Sequence, residues 1–194
     1  MKRKCAFVLA SVLILAASNL GFAVPVPVQW EENGHWYEVV VIPEPGISWS
    51  QAQAAAVAQG GYLATITSAE ENDFVFGLTV DTPGAWIYSA EWAIGPCLGG
   101  YQERSAPDYG EPSGGWRWVT GEPWGFTNWL AGQPDNWLDF EDRLIFWGRG
   151  QKTPTWNDFN GDSGVRMYVV EYIPEPTTVL LLGLGGLVLR RRRR

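Results

Sequence analysis

An α+β domain, with its two helices confined to the N-terminal half, is what this 194-residue sequence predicts. Two serine-led helix starts lie between residues 48 and 78, and a β-prone run precedes them. After Pro83 helix signals give way to short β-prone runs separated by stretches rich in glycine and proline. About 150 residues lie between the two ends, enough for one domain with a core of its own.

Trp36-Tyr37-Glu38-Val39-Val40-Val41 alternates in part and reads as a strand that Pro43 and Pro45 end. Ser48-Trp49-Ser50-Gln51 forms a capping box, with Ser48 as N-cap and Gln51 at N3. The alanine-rich helix behind it runs to about Ala58, and Gly60-Gly61 stop it. Tyr62 to Ile66 is a short strand. Ser68-Ala69-Glu70-Glu71 is a second capping box, and its helix runs to about Leu78 with Phe74, Val75 and Leu78 on one face. Glu70 and Glu71 suit the positive end of that helix. Trp86 to Tyr88, Trp116 to Val119, Arg143 to Trp147 and Met167 to Ile173 read as strands. Ile94 to Tyr101 is a glycine-rich stretch, Gly121 to Asp139 a long loop, and Thr155 to Gly161 a turn. This order leaves the first and last strands free to pair.

Both ends read as processing signals. The basic start Met1 to Lys4, the apolar run Cys5 to Ala17, and Gly21 and Ala23 at the −3 and −1 positions make residues 1–23 a secretory signal peptide. Residues 24–33 are a lead, and 34–173 is the domain. Residues 174–194 carry Pro174 and Pro176, an apolar run from Val179 to Leu189, and arginines 190–194. The run is shorter than the ~20 residues of a stable spanning helix, and the arginines hold its end on the cytoplasmic side. The segment resembles a PEP-CTERM sorting signal. That resemblance implies an exosortase-type protease as partner, transient or retained membrane association, and release to the cell surface or exterior. The same tetrapeptide at Ile42 to Pro45 lacks the apolar run and the arginines, so it reads as a loop.

Removing the signal peptide and the apolar and arginine-rich tail, with Glu175 kept, leaves six basic residues against the 21 acidic ones, a formal charge near −15 where the whole chain has −7. Such a surface repels nucleic acid and suits divalent cations. Cys97 becomes the sole cysteine, so no intramolecular disulfide forms in the mature chain. Twelve tryptophans point to an aromatic core, with a few left for a sugar-stacking surface.

The landmark residues, taken in order, resemble the C-type lectin-like domain from Gly34 to Tyr172. They are Trp49, Ala52 and Gly60 to Ala64; Cys97-Leu98-Gly99-Gly100, with cysteine where that family has tryptophan; Trp116 and Trp118; Thr127-Asn128-Trp129; Gly132-Gln133-Pro134; Glu141-Asp142; Trp156-Asn157-Asp158; and Tyr168 to Glu171. The fold implied has two helices, antiparallel sheets and a long loop region. The family has two disulfides, and the resemblance places one at Ala56 and Val170 and the other between Arg143 and a point after Asp158. Neither is present. Ala56 and Val170 are both apolar, so the pair packs where the family bonds, and the fold rests on its tryptophan-rich core.

Calcium takes six to eight oxygen ligands, chiefly carboxylates and carbonyls. Gln133 and Asp135 flank Pro134, and a cis bond there aims both side chains one way. Glu141 and Asn157-Asp158 complete three carboxylates and two amide oxygens, with no nitrogen or sulfur for a transition metal. The resemblance implies that Gln133, Asp135, Glu141, Asn157 and Asp158 hold calcium. It further implies that Gln133, Asp135, Glu141 and Asn157 hydrogen-bond sugar hydroxyls, and that Gln-Pro-Asp with Trp137 is the galactose-type arrangement. The expected ligand is a glycan or exopolysaccharide. The alternative is a calcium-independent adhesion or protein-interaction domain, with Trp129 and Trp156 as packing residues. Gly148 to Lys152 lengthens the step from Glu141 to Asn157.

Nothing points to an enzyme. His35 is the only histidine, which excludes histidine-based triads elsewhere, and it reads as a surface or structural residue. Glu141 and Asp142, as strand neighbours, point to opposite faces and do not flank one glycosidic bond. Cys97 has no base partner and reads as buried core.

Overall fold

The computed structural model describes residues 26–89, 91–162, 164 and 166–174. The signal peptide and the sorting segment beyond Pro174 lie outside the described residues. The strands are β1 (Val28–Gln29), β2 (Trp36–Val41), β3 (Tyr62–Leu63), β4 (Ile87–Tyr88), β5 (Trp92–Gln102), β6 (Trp116–Trp118), β7 (Arg143–Arg149), β8 (Trp156–Phe159) and β9 (Met167–Tyr172), and the helices are α1 (Trp49–Ala58) and α2 (Ala69–Asp81).

The strands form one sheet in the order β1-β2-β9-β5-β7-β8, with β3 on β9 and both β4 and β6 on β5. The first long strand and the last do pair, antiparallel, from Trp36 opposite Tyr172 to Val41 opposite Met167. Among the pairings of these strands one departs from the antiparallel plan: Cys97 of β5 meets Tyr168 of β9 in parallel. The lead also takes part, since β1 pairs with β2.

Ser48 caps α1 as expected, with its side chain accepting from Gln51 N and Gln51 reaching back to the Ser48 amide at 2.8 Å. The second box is half made. Ser68 caps α2 through Glu71 N, but the Glu71 carboxylate turns inward to Tyr37 and Thr67. A buried phenol outcompetes a solvent-side amide for that carboxylate. The helix runs past Leu78 to Asp81.

The glycine-rich stretch is the longest strand, β5. Its glycines are there for close approach: a Cβ on Gly99 would lie 2.4 Å from the Leu63 carbonyl, and one on Gly100 2.8 Å from Leu144 Cβ. The residues 155–161 read as a turn contain β8, because the ladder from Arg143–Phe159 to Phe146–Trp156 continues through them. Glu141 and Asp142 precede β7 and are not strand neighbours, although their side chains still part: Asp142 pairs with Arg143 at 3.0 Å.

Alternation on the strands divides the core. Leu144 and Phe146 of β7 face one cluster with Val75 of α2, Trp116, Trp118 and Trp156, while Ile145 faces a second with Trp49 and Ala52 of α1, Cys97 and Tyr168. Ala56 and Val170 are fully buried together in the second cluster. At the other disulfide position, the Arg143 stem fills the space that Gly161 leaves open, and its guanidinium lies 4.8 Å over the Trp49 ring. Cys97 is 1 % exposed, and burial pushes its thiol far above its ordinary range.

Trp156 locks the loop region to this core. Its indole donates to Asn72 Oδ1 of α2 at 2.8 Å. Its backbone accepts from Leu130 N at 2.9 Å and donates to Asn128 O at 2.8 Å. Its ring lies within about 6 Å of Trp118, Trp124, Phe126 and Trp129. Trp156→Phe keeps most of the packing but leaves Asn72 Oδ1 without its donor. Denaturant unfolding is expected to show a loss of about 2–4 kcal/mol; a change within 0.5 kcal/mol contradicts this role.

His35 is structural, with Nδ1 2.6 Å from Glu171 Oε1. Glu171 is 1 % exposed and also accepts from Thr65 N at 2.9 Å. Burial dominates and raises its carboxyl to about 7, although the Thr65 amide and His35 oppose the rise. A carboxyl raised above its unfolded value favours folding when protonated. The stability it contributes is therefore complete below the ordinary glutamate range and is lost as pH climbs through about 7. Between pH ~4.5 and ~7 the wild type should lose roughly 1–3 kcal/mol relative to Glu171→Gln in urea unfolding. Parallel curves for the two proteins refute the assignment.

Candidate functional site

The long loop and β8 build one acidic cage. Gln133-Pro134 is a cis peptide, and Gln133 and Asp135 both line the same cleft. Glu141 joins them where the chain turns into β7, and Asn157 and Asp158 come from β8. Carboxylate oxygens of Asp135, Glu141 and Asp158 all lie within 4.8 Å of one another. All five residues expected to hold calcium thus meet at one place. The lengthened Gly148 to Lys152 segment leaves them in register, because Ile145 still faces Asn157 and Leu144 faces Asp158.

Asp158 forms the floor. It is fully buried, its Oδ1 accepts from Asp135 N at 3.1 Å, and its Oδ2 accepts from Asn136 N at 2.6 Å. Burial raises its carboxyl pKa, and those amides oppose the rise. Glu141 is pushed up to about 8, first by burial and then by the Asp158 charge; the Trp137 amide, 3.2 Å from its Oε2, works the other way. Three carboxylates this close repel one another, and a cation between them removes that repulsion.

Two further atoms fit an oxygen-seeking ion. Gln133 Oε1 and Asn157 Oδ1 are buried and accept no hydrogen bond, although buried polar atoms are nearly always paired. The Asn157 amide nitrogen donates to the Asp158 carbonyl, so its oxygen is the atom left over. Three carboxylates and two orphaned amide oxygens, without nitrogen or sulfur donors, match the ligand chemistry of calcium.

Asn136 is the residue that sequence reasoning missed. It sits at φ 47°, in the left-handed region that asparagine tolerates better than most residues. Its N–H goes to Asp158, and its Oδ1 accepts from Glu141 N at 3.1 Å. It therefore ties the Asp158 carboxylate and the Glu141 backbone to the loop. An Asn directly after Pro-Asp, before an apolar run, is a turn signal that could have marked it.

The cleft has a volume of about 570 Å³. Gln133, Asp135, Glu141 and Asn157 line it, and so does Trp137, whose side chain is 65 % exposed. Trp92, Trp147, Phe159 and Arg149 line it as well. Sequence gave no sign of these four, because only strand pairing brings residue 92 to residue 149. Trp129 is half-buried against the core and Trp156 is fully buried in it.

Comparison with known proteins adds three findings. Residues 173–194 match the family model of the PEP-CTERM protein-sorting motif. No curated protein sequence matches the chain. Among solved structures, the cow C-type carbohydrate-recognition domain of CD23, studied in the presence of GlcNAc2Man3 oligosaccharide, is similar at TM-score 0.57 and 18 % identity, over 80 % of this chain and 99 % of that one. The C-type lectin CEL-I from Cucumaria echinata is similar at TM-score 0.56 and 25 % identity, over 77 % and 99 %. A Ca2+-dependent type II antifreeze protein, in its Ca2+-free form, gives 0.54 and 21 %, over 76 % and 97 %. The chain has the C-type lectin-like fold and ends in a PEP-CTERM sorting motif.

Proposed function

We propose that this domain is an exported, calcium-dependent glycan-binding module of the cell surface or extracellular polysaccharide matrix. One observation carries the reading: three carboxylates lie within 4.8 Å of one another, beside two buried amide oxygens that nothing else satisfies. The cage opens on a cleft of ligand size. Similarity to the CD23 carbohydrate-recognition domain, studied with an oligosaccharide, and to the lectin CEL-I supports the same reading. The terminal motif supports export, with an exosortase-type protease as processing partner and transient or retained membrane association. Among the described residues no helix is long and apolar enough to cross a membrane.

Gln133, Asp135, Glu141, Asn157 and Asp158 are the residues that would hold the ion. Bound calcium would offer remaining coordination positions to two neighbouring sugar hydroxyls. The amide nitrogens of Gln133 and Asn157 can donate to those hydroxyls, and the carboxylates of Asp135 and Glu141 can accept from them. Asp158 stays beneath as buried counter-charge. Trp137 presents an exposed indole to the apolar face of a ring, which with the Gln-Pro-Asp order favours a galactose-type sugar. Carboxylates clustered this tightly suit an ion better than the wider pair that flanks a glycosidic bond. A binding module is therefore favoured over a hydrolase.

Calcium at roughly 100 times its Kd should raise the melting temperature by about 5–10 °C over the chelated protein, and Asp135→Asn should abolish the rise. On a glycan array, binding should be strongest to galactose-ended structures and vanish in chelator. Binding that survives chelation, with no thermal shift, replaces this reading with a calcium-independent adhesion domain.

A further inference from the structure

The cleft extends beyond the cage. Past Gln133 and Asp135 it is lined by Trp92 at the start of β5, Trp147 and Arg149 at the end of β7, and Phe159 at the end of β8. Register sets Trp92 opposite Arg149 and Ile94 opposite Trp147. The two indoles therefore sit side by side, ring centres 5.5 Å apart and tilted 39°. Trp147 and Phe159 pack inward against the Trp49 cluster and are only half-buried, which makes a fixed shelf with an open side.

Arg149 closes the rim of this shelf. Its guanidinium lies 5.9 Å from the Trp92 ring, and its Nη2 donates to Ala131 O at 3.4 Å. Arg104, Arg117, Arg143 and Arg166 each pair with a carboxylate. Among the described residues Arg149 has no such partner, although the chain holds 21 acidic residues against 14 basic ones. A guanidinium without a carboxylate partner, 5.9 Å from an indole ring centre at the rim of a ligand cleft, is a ready receptor for a planar or tetrahedral anion.

We infer that the shelf is a second sugar subsite and that the ligand is a chain of at least two sugar residues, the second stacking on Trp92 and Trp147 and presenting an anionic group to Arg149. This rests on the calcium-dependent reading of the cage. The carbon face of a pyranose ring matches an indole surface. A single ring at the cage leaves the aromatic end of a cleft this large unfilled. The anion is a uronate carboxylate or a sulfate ester; both meet the same guanidinium fork.

The test is calorimetry at fixed calcium with methyl galactoside, neutral digalactose, and digalactose carrying a terminal uronate or a sulfate ester. The wild type should bind neutral digalactose roughly 5–10-fold more tightly than the monosaccharide, and the anionic forms roughly 3–5-fold more tightly again. Trp92→Ala should remove the gain from the second ring and leave methyl galactoside unchanged, with Trp92→Leu as a second variant that keeps an apolar filler. Arg149→Gln should remove the anionic gain alone. Whichever anionic form loses more in Arg149→Gln identifies the anion. Equal affinities for all four sugars, bound only with calcium, overturn the subsite and leave the cage reading standing. Absence of calcium-dependent methyl galactoside binding removes the galactose reading and the subsite with it.

Discussion

The position of Trp156 is the constraint on which the site depends. The long loop has little regular structure of its own, and its ordering must be imposed from outside. Trp156 does this with three sets of contacts at once: its indole to Asn72 on α2, its backbone to Asn128 and Leu130, and its ring to the tryptophans beneath the loop. The next two residues are Asn157 and Asp158, two of the five cage residues. The fixation of the core and the placement of the cage thus share one short strand. In place of two disulfides there are local substitutes of a different kind, a packed Ala56–Val170 cluster and an arginine stem lying against Trp49.

The cage itself is an energetic liability without a cation. Burial and mutual charge raise the carboxyls of Glu141 and Asp158, and two amide oxygens are buried without donors. Such a cluster weakens a fold unless something offsets it, and the loop backbone meets only part of the need by donating amides to Asp158 and Glu141. The residues left incomplete are those that face the cleft. On the proposed reading, function and stability meet in the same side chains, as they do when a binding site holds polar groups in readiness for a ligand.

Much of this was legible in the sequence, for identifiable reasons. The Ser48 box, the pairing of first and last strands, and the gathering of Gln133, Asp135, Glu141, Asn157 and Asp158 all rest on short-range signals or on a motif order that few other folds share. What was illegible depended on tertiary context. Glycine left Ile94 to Tyr101 without a strand signal, yet Gly99 and Gly100 are there to let neighbouring backbone and side chains approach. Asn157 and Asp158 are turn-forming residues by propensity, but a seven-residue partner strand recruits them into a ladder. Glu71 left its capping box because a buried tyrosine hydroxyl competed for it. The aromatic shelf had no local signature, since Trp92 and Arg149 meet only through strand register.

The most direct measurement is a structure determined from crystals grown in millimolar calcium. One ion is expected there, ligated by Gln133, Asp135, Glu141, Asn157 and Asp158, with the two amide oxygens now paired to it. A cage with no ion at that concentration, its Gln133 and Asn157 oxygens satisfied by water alone, would contradict the central claim.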